Sequence, residues 1–211
     1  MNQSDQHVED IKVIRKIMEE SSRFLSLSGL SGIIAGFIAI AGTIVAKVII
    51  EKYSPVAEWY STPFTTDAEG RRMLILLLAD MTAVLVLALA GAVIFSSRKA
   101  RLSGISAWTP VTRRMLISLI VPLVTGGLFI ILTITSLPAY VMVASTLVFY
   151  GLAVISAGRF TFGEINWLGV LEITAGLLCL LLPERSMIIW AAGFGAIHII
   201  YGLFMHLRYK G

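Results

Sequence analysis

Charge is what this chain has least of. Of its 211 residues 14% are charged, against roughly a quarter in a soluble domain, while 57% are hydrophobic. A single cysteine, Cys179, excludes an intrachain disulfide and leaves the redox compartment unread; inside an apolar stretch it reads as a small core hydrophobe. The only histidines are His7, His198 and His206. The last two lie eight residues apart, about two helical turns, too far to share one ion. An axial haem ligand from His198 or His206 is the one cofactor chemistry left open, and the expectation is no metal and no cofactor. No GxSxG elbow, HExxH helix, phosphate-cradling glycine loop or aspartate-rich alcohol-transferase pattern occurs, and the short connections leave no room for a soluble catalytic domain. An enzyme is therefore not expected. The net charge of +4 would suit a nucleic acid, but the Lys and Arg residues sit at the edges of apolar segments rather than on one solvated domain, which argues against that partner.

What the chain has is long apolar runs. Residues 24–50, 73–95, 115–134, 139–157, 162–182 and 187–207 are each about long enough to cross the ~30 Å hydrocarbon layer as a helix. The expected architecture is all-α: a polytopic bundle of six transmembrane helices over 24–207, arranged as three hairpins, with a cytoplasmic or interfacial segment at 1–23 and a cytoplasmic tail at 208–211. Asp5, Glu9, Asp10, Glu19 and Glu20 interrupt the start before any apolar run, so no cleavable signal peptide is expected. With the first residue inside, Lys12, Arg15, Lys16, Arg23, Arg98, Lys99, Arg101, Arg113, Arg114, Arg159, Arg208 and Lys210 share one side, and Lys47, Lys52, Arg71, Arg72 and Arg185 the other. That asymmetry places both termini on the cytoplasmic side of the membrane.

The connections carry their own signals. Val8, Ile11, Ile14 and Met18 recur at helical spacing between charges, as in an amphipathic helix lying in the interface, although a solvated lead into the first crossing fits equally. Tyr53, Trp59, Tyr60 and Phe64, with Pro55 and Pro63, suit a flap at the outer membrane-water boundary. The basic connection from Ser96 to Arg114 should rest against anionic headgroups. Thr161 and Glu164 have the spacing of a capping box that would start the fifth helix at about Phe162. Gly91, Tyr150-Gly151 and Tyr201-Gly202, each followed by apolar residues and then an arginine, form a weak repeat consistent with three like-oriented hairpins.

Lipid supplies no hydrophobic force between helices, so close approach depends on small residues. Ser28, Gly32, Ala35, Gly36 and Ala39 form such a stripe, chiefly for packing within the chain; the Gly32-Gly36 spacing also permits a homo-oligomer. Pro122, with Thr125, Gly126 and Gly127 beyond it, predicts a kink that either only packs or lines a cavity. Glu172 and His198 are each 13 residues from Arg185, so antiparallel helices place them at the same depth near mid-bilayer. Gly169 and Gly176 flank one, Gly195 and Gly202 the other, and facing stripes would bring carboxylate and imidazole together. Asp80 is a third ionisable group in an apolar run, with His198, Lys47 or Tyr201 as candidate partners; Tyr150 and Tyr201 complete the expected polar site. An unpaired charge in hydrocarbon costs a few kcal/mol or more, so each group must be neutral, paired or beside water.

The stretch from Leu168 through Gly169, Gly176 and Pro183 to Gly195 and Gly202 resembles the glycine-punctuated hairpins of the HdeD-like small membrane proteins. Those are six-helix bacterial inner-membrane proteins linked to acid stress, and the likeness covers about a quarter of the chain. Ile120 to Gly127, Phe149-Tyr150-Gly151 and Ile199 to Gly202 also resemble a family of uncharacterised bacterial multipass proteins, which implies location and no activity. Two functions stand against each other. In one, Asp80, Glu172 and His198 line a polar cavity of a small transporter or channel-like protein that passes a proton, ion or small polar solute. In the other, a structural or stress-response membrane protein uses them only to lock helices. A water-accessible cavity at Glu172 would favour the first, a dry paired contact the second.

Overall fold

The structure, a computed structural model, describes residues 29–54, 59–65, 67–102, 104, 106 and 108–209. The amphipathic segment expected over 8–18 and the start of the first crossing lie outside them. The described residues are helical with no strand: α1 (Gly29–Tyr53), α2 (Ala68–Leu102), α3 (Pro110–Thr133), α4 (Ala139–Gly158), α5 (Ile165–Leu181), a 3-10 turn (Pro183–Arg185), and then α6 (Ser186–Trp190), a π segment (Ala191–Ile197) and α7 (His198–Arg208) running on as one final rod. Five of these stretches are long and apolar enough to cross a membrane, the final rod counted from Pro183; α5, also apolar, has 17 residues. Leu85, Val86, Ile131 and Leu132 are among many large apolar side chains left bare on the outside. Water would penalise such a surface, and hydrocarbon does not. The result is an all-helical, membrane-type bundle.

The rod is central and the ends of the order are peripheral. α2 packs along α1, α1 along the rod, α5 along both the rod and α4, and α3 along α4. Glycine sets the closest crossings. A Cβ on Gly202 would lie 2.6 Å from the Gly29 carbonyl oxygen and from the Ile33 nitrogen, and one on Gly36 would lie 2.6 Å from the Gly195 carbonyl oxygen. Gly169 meets the Gly151 carbonyl at 2.7 Å and Gly176 that of Ala144 at 2.8 Å. The facing stripes expected on the fifth and sixth crossings are thus turned apart: Gly169 and Gly176 seat α4, while Gly195 and Gly202 seat α1. Each helix of that hairpin has a second neighbour nearer than its partner, and the smallest residues go to the nearest backbone. The Gly32-Gly36 face likewise meets the rod, where a Cβ on Gly32 would lie 3.2 Å from the Gly202 Cα. In the repeat, Gly151 and Gly202 do equivalent work, whereas Gly91 meets only Ile34, at 3.7 Å.

Gly202→Leu is expected to destabilise the bundle by about 1–3 kcal/mol or more, because the added atoms meet backbone that cannot rotate away. Gly127→Leu is the control, since nothing lies within 4 Å of a Cβ there. Thermal melting in detergent micelles would compare them.

Local chemistry fixes the ends. The helix after Phe162 begins at Ile165 with no side-chain cap, so the expected capping box does not form. Glu164 instead accepts from the Tyr209 hydroxyl at 2.9 Å and pairs with Arg208 at 3.3 Å, tying the chain's last turn to the α4-α5 connection; a partner of opposite charge outcompetes the local cap. A capping box does form at the start of α3, between Thr109 and Thr112. α3 runs unbroken through Pro122, and Gly126 receives the Phe149 ring. At the opposite end, Thr62 and Tyr60 accept through their carbonyls from the Ala139 and Tyr140 amides, at 3.1 and 3.0 Å, and the Phe64 amide donates to Ile134. Pro138 offers α4 no side-chain cap, and the flap's backbone satisfies the first orphan amides in its place.

Candidate functional site

The final rod positions the site. Its π segment is built from small residues, and the widened turn carries the Gly193 carbonyl within 3.2 Å of His198 Nδ1. Glu172 reaches in from α5, 3.1 Å from the same nitrogen through Oε1, and Tyr150 from α4 sets its hydroxyl 2.8 Å from His198 Nε2. Three helices therefore converge on one imidazole. Gly193 is what makes room: a Cβ there would stand 2.9 Å from Glu172 Oε2 and 2.7 Å from the Leu147 side chain. Rings pack around it, with Phe194 5.0 Å from Tyr150, 5.9 Å from His198 and 4.9 Å from Trp190 between centroids. Trp190, Phe194 and His198 follow at intervals of four, so one face of the rod carries all three.

The hydrogen bonds assign the tautomer. A carbonyl only accepts, so the proton of a neutral ring is on Nδ1, and Nε2 then accepts from the Tyr150 hydroxyl. Glu172 is wholly buried and His198 is 6% exposed. Although Oε1 is at ion-pair distance, no donor is aligned on either Glu172 oxygen, because Nδ1 directs its hydrogen toward Gly193. The pair is electrically neutral in both of its forms, carboxylic acid beside imidazole or carboxylate beside imidazolium, and only such a neutral arrangement is tolerable at this depth.

Asp80 is not part of this cluster. It lies on α2 against α1 at Gly42, and its Oδ2 is buried with no hydrogen-bond partner. None of the three partners expected for it is there: His198 is engaged as described, Lys47 pairs with Glu51 at 3.6 Å on the exposed side of α1, and the Tyr201 hydroxyl is buried and unpartnered. Tyr201 packs with Tyr150 against Val154, Ile165 and Leu168. Cys179 is buried, its thiol donating to the Ser186 carbonyl at 3.6 Å. Among the described residues no group of three His, Cys, Asp or Glu side chains could hold a metal. Gly193, Phe194 and the π segment escaped the sequence reading; the four-residue spacing of Trp190, Phe194 and His198 was the available signal.

No family model, curated protein or solved structure matches this chain.

Tyr150→Phe is expected to cost about 0.5–1.5 kcal/mol, the net worth of one hydrogen bond. Its effect on melting should vanish in a His198→Phe background, where Nε2 no longer exists to be bonded.

Proposed function

We propose that this chain is a non-catalytic multipass protein of the bacterial inner membrane. In this reading it has six spans and both termini in the cytoplasm, and its central polar residues lock helices together rather than conduct. The carrying observation is that Glu172 has no exposed surface and His198 almost none. A residue that loads a proton, ion or polar solute must be reached by water at some stage, and the Glu172 carboxyl, against Gly193 and wholly buried, has no surface by which water reaches it. The lock joins α4, α5 and the rod. A structural or stress-response role fits such a closed bundle, and it is the kind of role that the resemblance to HdeD-like proteins implies.

The proton-coupled reading draws on a different observation, the absence of an aligned donor on either Glu172 oxygen. A carboxyl group held without a fixed donor is free to gain or lose a proton if the rod moves. Proteoliposomes with an internal pH dye separate the two. The lock predicts that parent vesicles dissipate a pH gradient no faster than empty ones and that Glu172→Gln changes nothing; a parent-only proton leak abolished by Glu172→Gln would replace the lock with transport.

A further inference from the structure

A second interior feature lies at the flap end, apart from the polar cluster. α2 and α3 are joined at the other end of the bundle, yet they are not packed along each other: each leans on its own neighbour, α1 or α4. Between their diverging flap ends is a cavity of about 210 Å³. Leu78 and Met81 of α2, Ile130 of α3, Met142 of α4, Trp190 of the rod and Trp59 of the flap are among the residues that line it. Two hydroxyls belong to the lining, those of Thr43 and Thr146, and the hydrogen of each is already donated. Thr43 donates to the Ala39 carbonyl at 2.9 Å, and Thr146 donates to the Val143 carbonyl at 2.7 Å while accepting the Trp190 indole N–H at 3.0 Å.

Those walls decide the chemistry of a guest. Water needs two to four polar partners and finds only the spare lone pairs of these two hydroxyls, and a smaller engineered cavity of about 150 Å³ with apolar walls stays dry and takes benzene-sized apolar molecules. Polar solutes and ions are excluded for the same reason. Neighbouring residues of α2 and α3 such as Leu85, Ile131 and Leu132 are bare and apolar, so what meets this face is lipid. Methionines 81, 142 and 187 in the lining supply flexible thioethers that adapt to an irregular chain.

We propose that this cavity is a lipid site that takes the end of one acyl chain of a bilayer phospholipid, entering between α2 and α3. The site is independent of the polar lock, since Trp190 stands between the cavity and Phe194 and His198.

Native mass spectrometry of the detergent-purified protein after incubation with phosphatidylglycerol, and separately with phosphatidylcholine, tests this. The parent is expected to retain one phospholipid per chain at collision energies that strip loosely adhering lipid, with either headgroup. Leu78→Trp, which fills the mouth from a half-exposed position, should reduce the retained fraction at least tenfold. Leu89→Trp, on the same helix and outside the cavity lining, should not. Equal retention by all three proteins, no retention by the parent, or a lipid-free dimer would overturn the assignment. A second readout covers a variant that fails to fold. With Trp59, Trp108 and Trp167 replaced by Phe, the fluorescence of Trp190 should be quenched saturably by one equivalent of a phospholipid brominated in mid-chain, and no saturable quenching would equally overturn it.

Discussion

His198→Ala is expected to destabilise the folded bundle by about 3–5 kcal/mol, the cost of removing one partner from a buried pair and leaving the other uncompensated. Three groups lose their counterpart at once: Glu172 at 3.1 Å, the Tyr150 hydroxyl at 2.8 Å and the Gly193 carbonyl at 3.2 Å. Glu172 is then left buried with no neighbour of opposite charge. The triple replacement Glu172→Leu, His198→Phe, Tyr150→Phe is expected to recover most of that loss, because apolar residues of similar volume remove the desolvation cost along with the attraction. Recovery shows that the cluster acts on stability, and the proteoliposome flux of the same triple variant separates a lock from a working site. Equilibrium unfolding in mixed micelles gives both numbers. A single His198→Ala variant as stable as the parent would mean that the cluster holds nothing.

Val86→Lys should have an effect of similar size for a different reason. Val86 is near the middle of α2 and 56% exposed, so in a water-soluble protein this substitution would fall within about 0.5 kcal/mol of neutral. On a helix in hydrocarbon it costs about 2.5–3.5 kcal/mol in insertion. The expected result is a sharp fall in membrane-inserted, monodisperse protein, with Ile94→Lys, nearer the helix end where a lysine can snorkel to the interface, less affected. Equal yields for parent and Val86→Lys would argue that this surface meets water.

Much of this was legible in the sequence because lipid imposes simple rules. Length and hydropathy alone mark where helices must run, and equal spacing about a turn placed Glu172 and His198 at one depth, where the structure has them in contact. What could not be read was rotation about each helix axis. In a soluble protein an amphipathic stripe fixes that rotation, but here nearly every face is apolar, so the stripes at Gly169-Gly176 and Gly195-Gly202 could be seen and not aimed. Asp80 was misjudged for the same reason, its depth being readable and its azimuth not. The π segment was hidden because Ala191 to Ile197 is as compatible with an ordinary helix by composition. Thr161 and Glu164 show the limit of local motifs: the spacing was right, but Tyr209 and Arg208, distant in sequence, claimed the carboxylate.

Closure of the polar cluster to water underlies the whole reading, and cysteine accessibility measures it most directly. In a Cys179→Ala background, Ala175→Cys places a thiol one turn from Glu172 at a position 7% exposed, and Ser61→Cys places one on the exposed flap. A charged, water-soluble thiol reagent applied to both sides of proteoliposomes should modify the flap cysteine fully and leave the residue-175 cysteine untouched until the protein is denatured in dodecyl sulfate. Modification of the buried thiol at a rate comparable to the flap thiol would mean that water reaches Glu172, and the lock would have to give way to a conducting site.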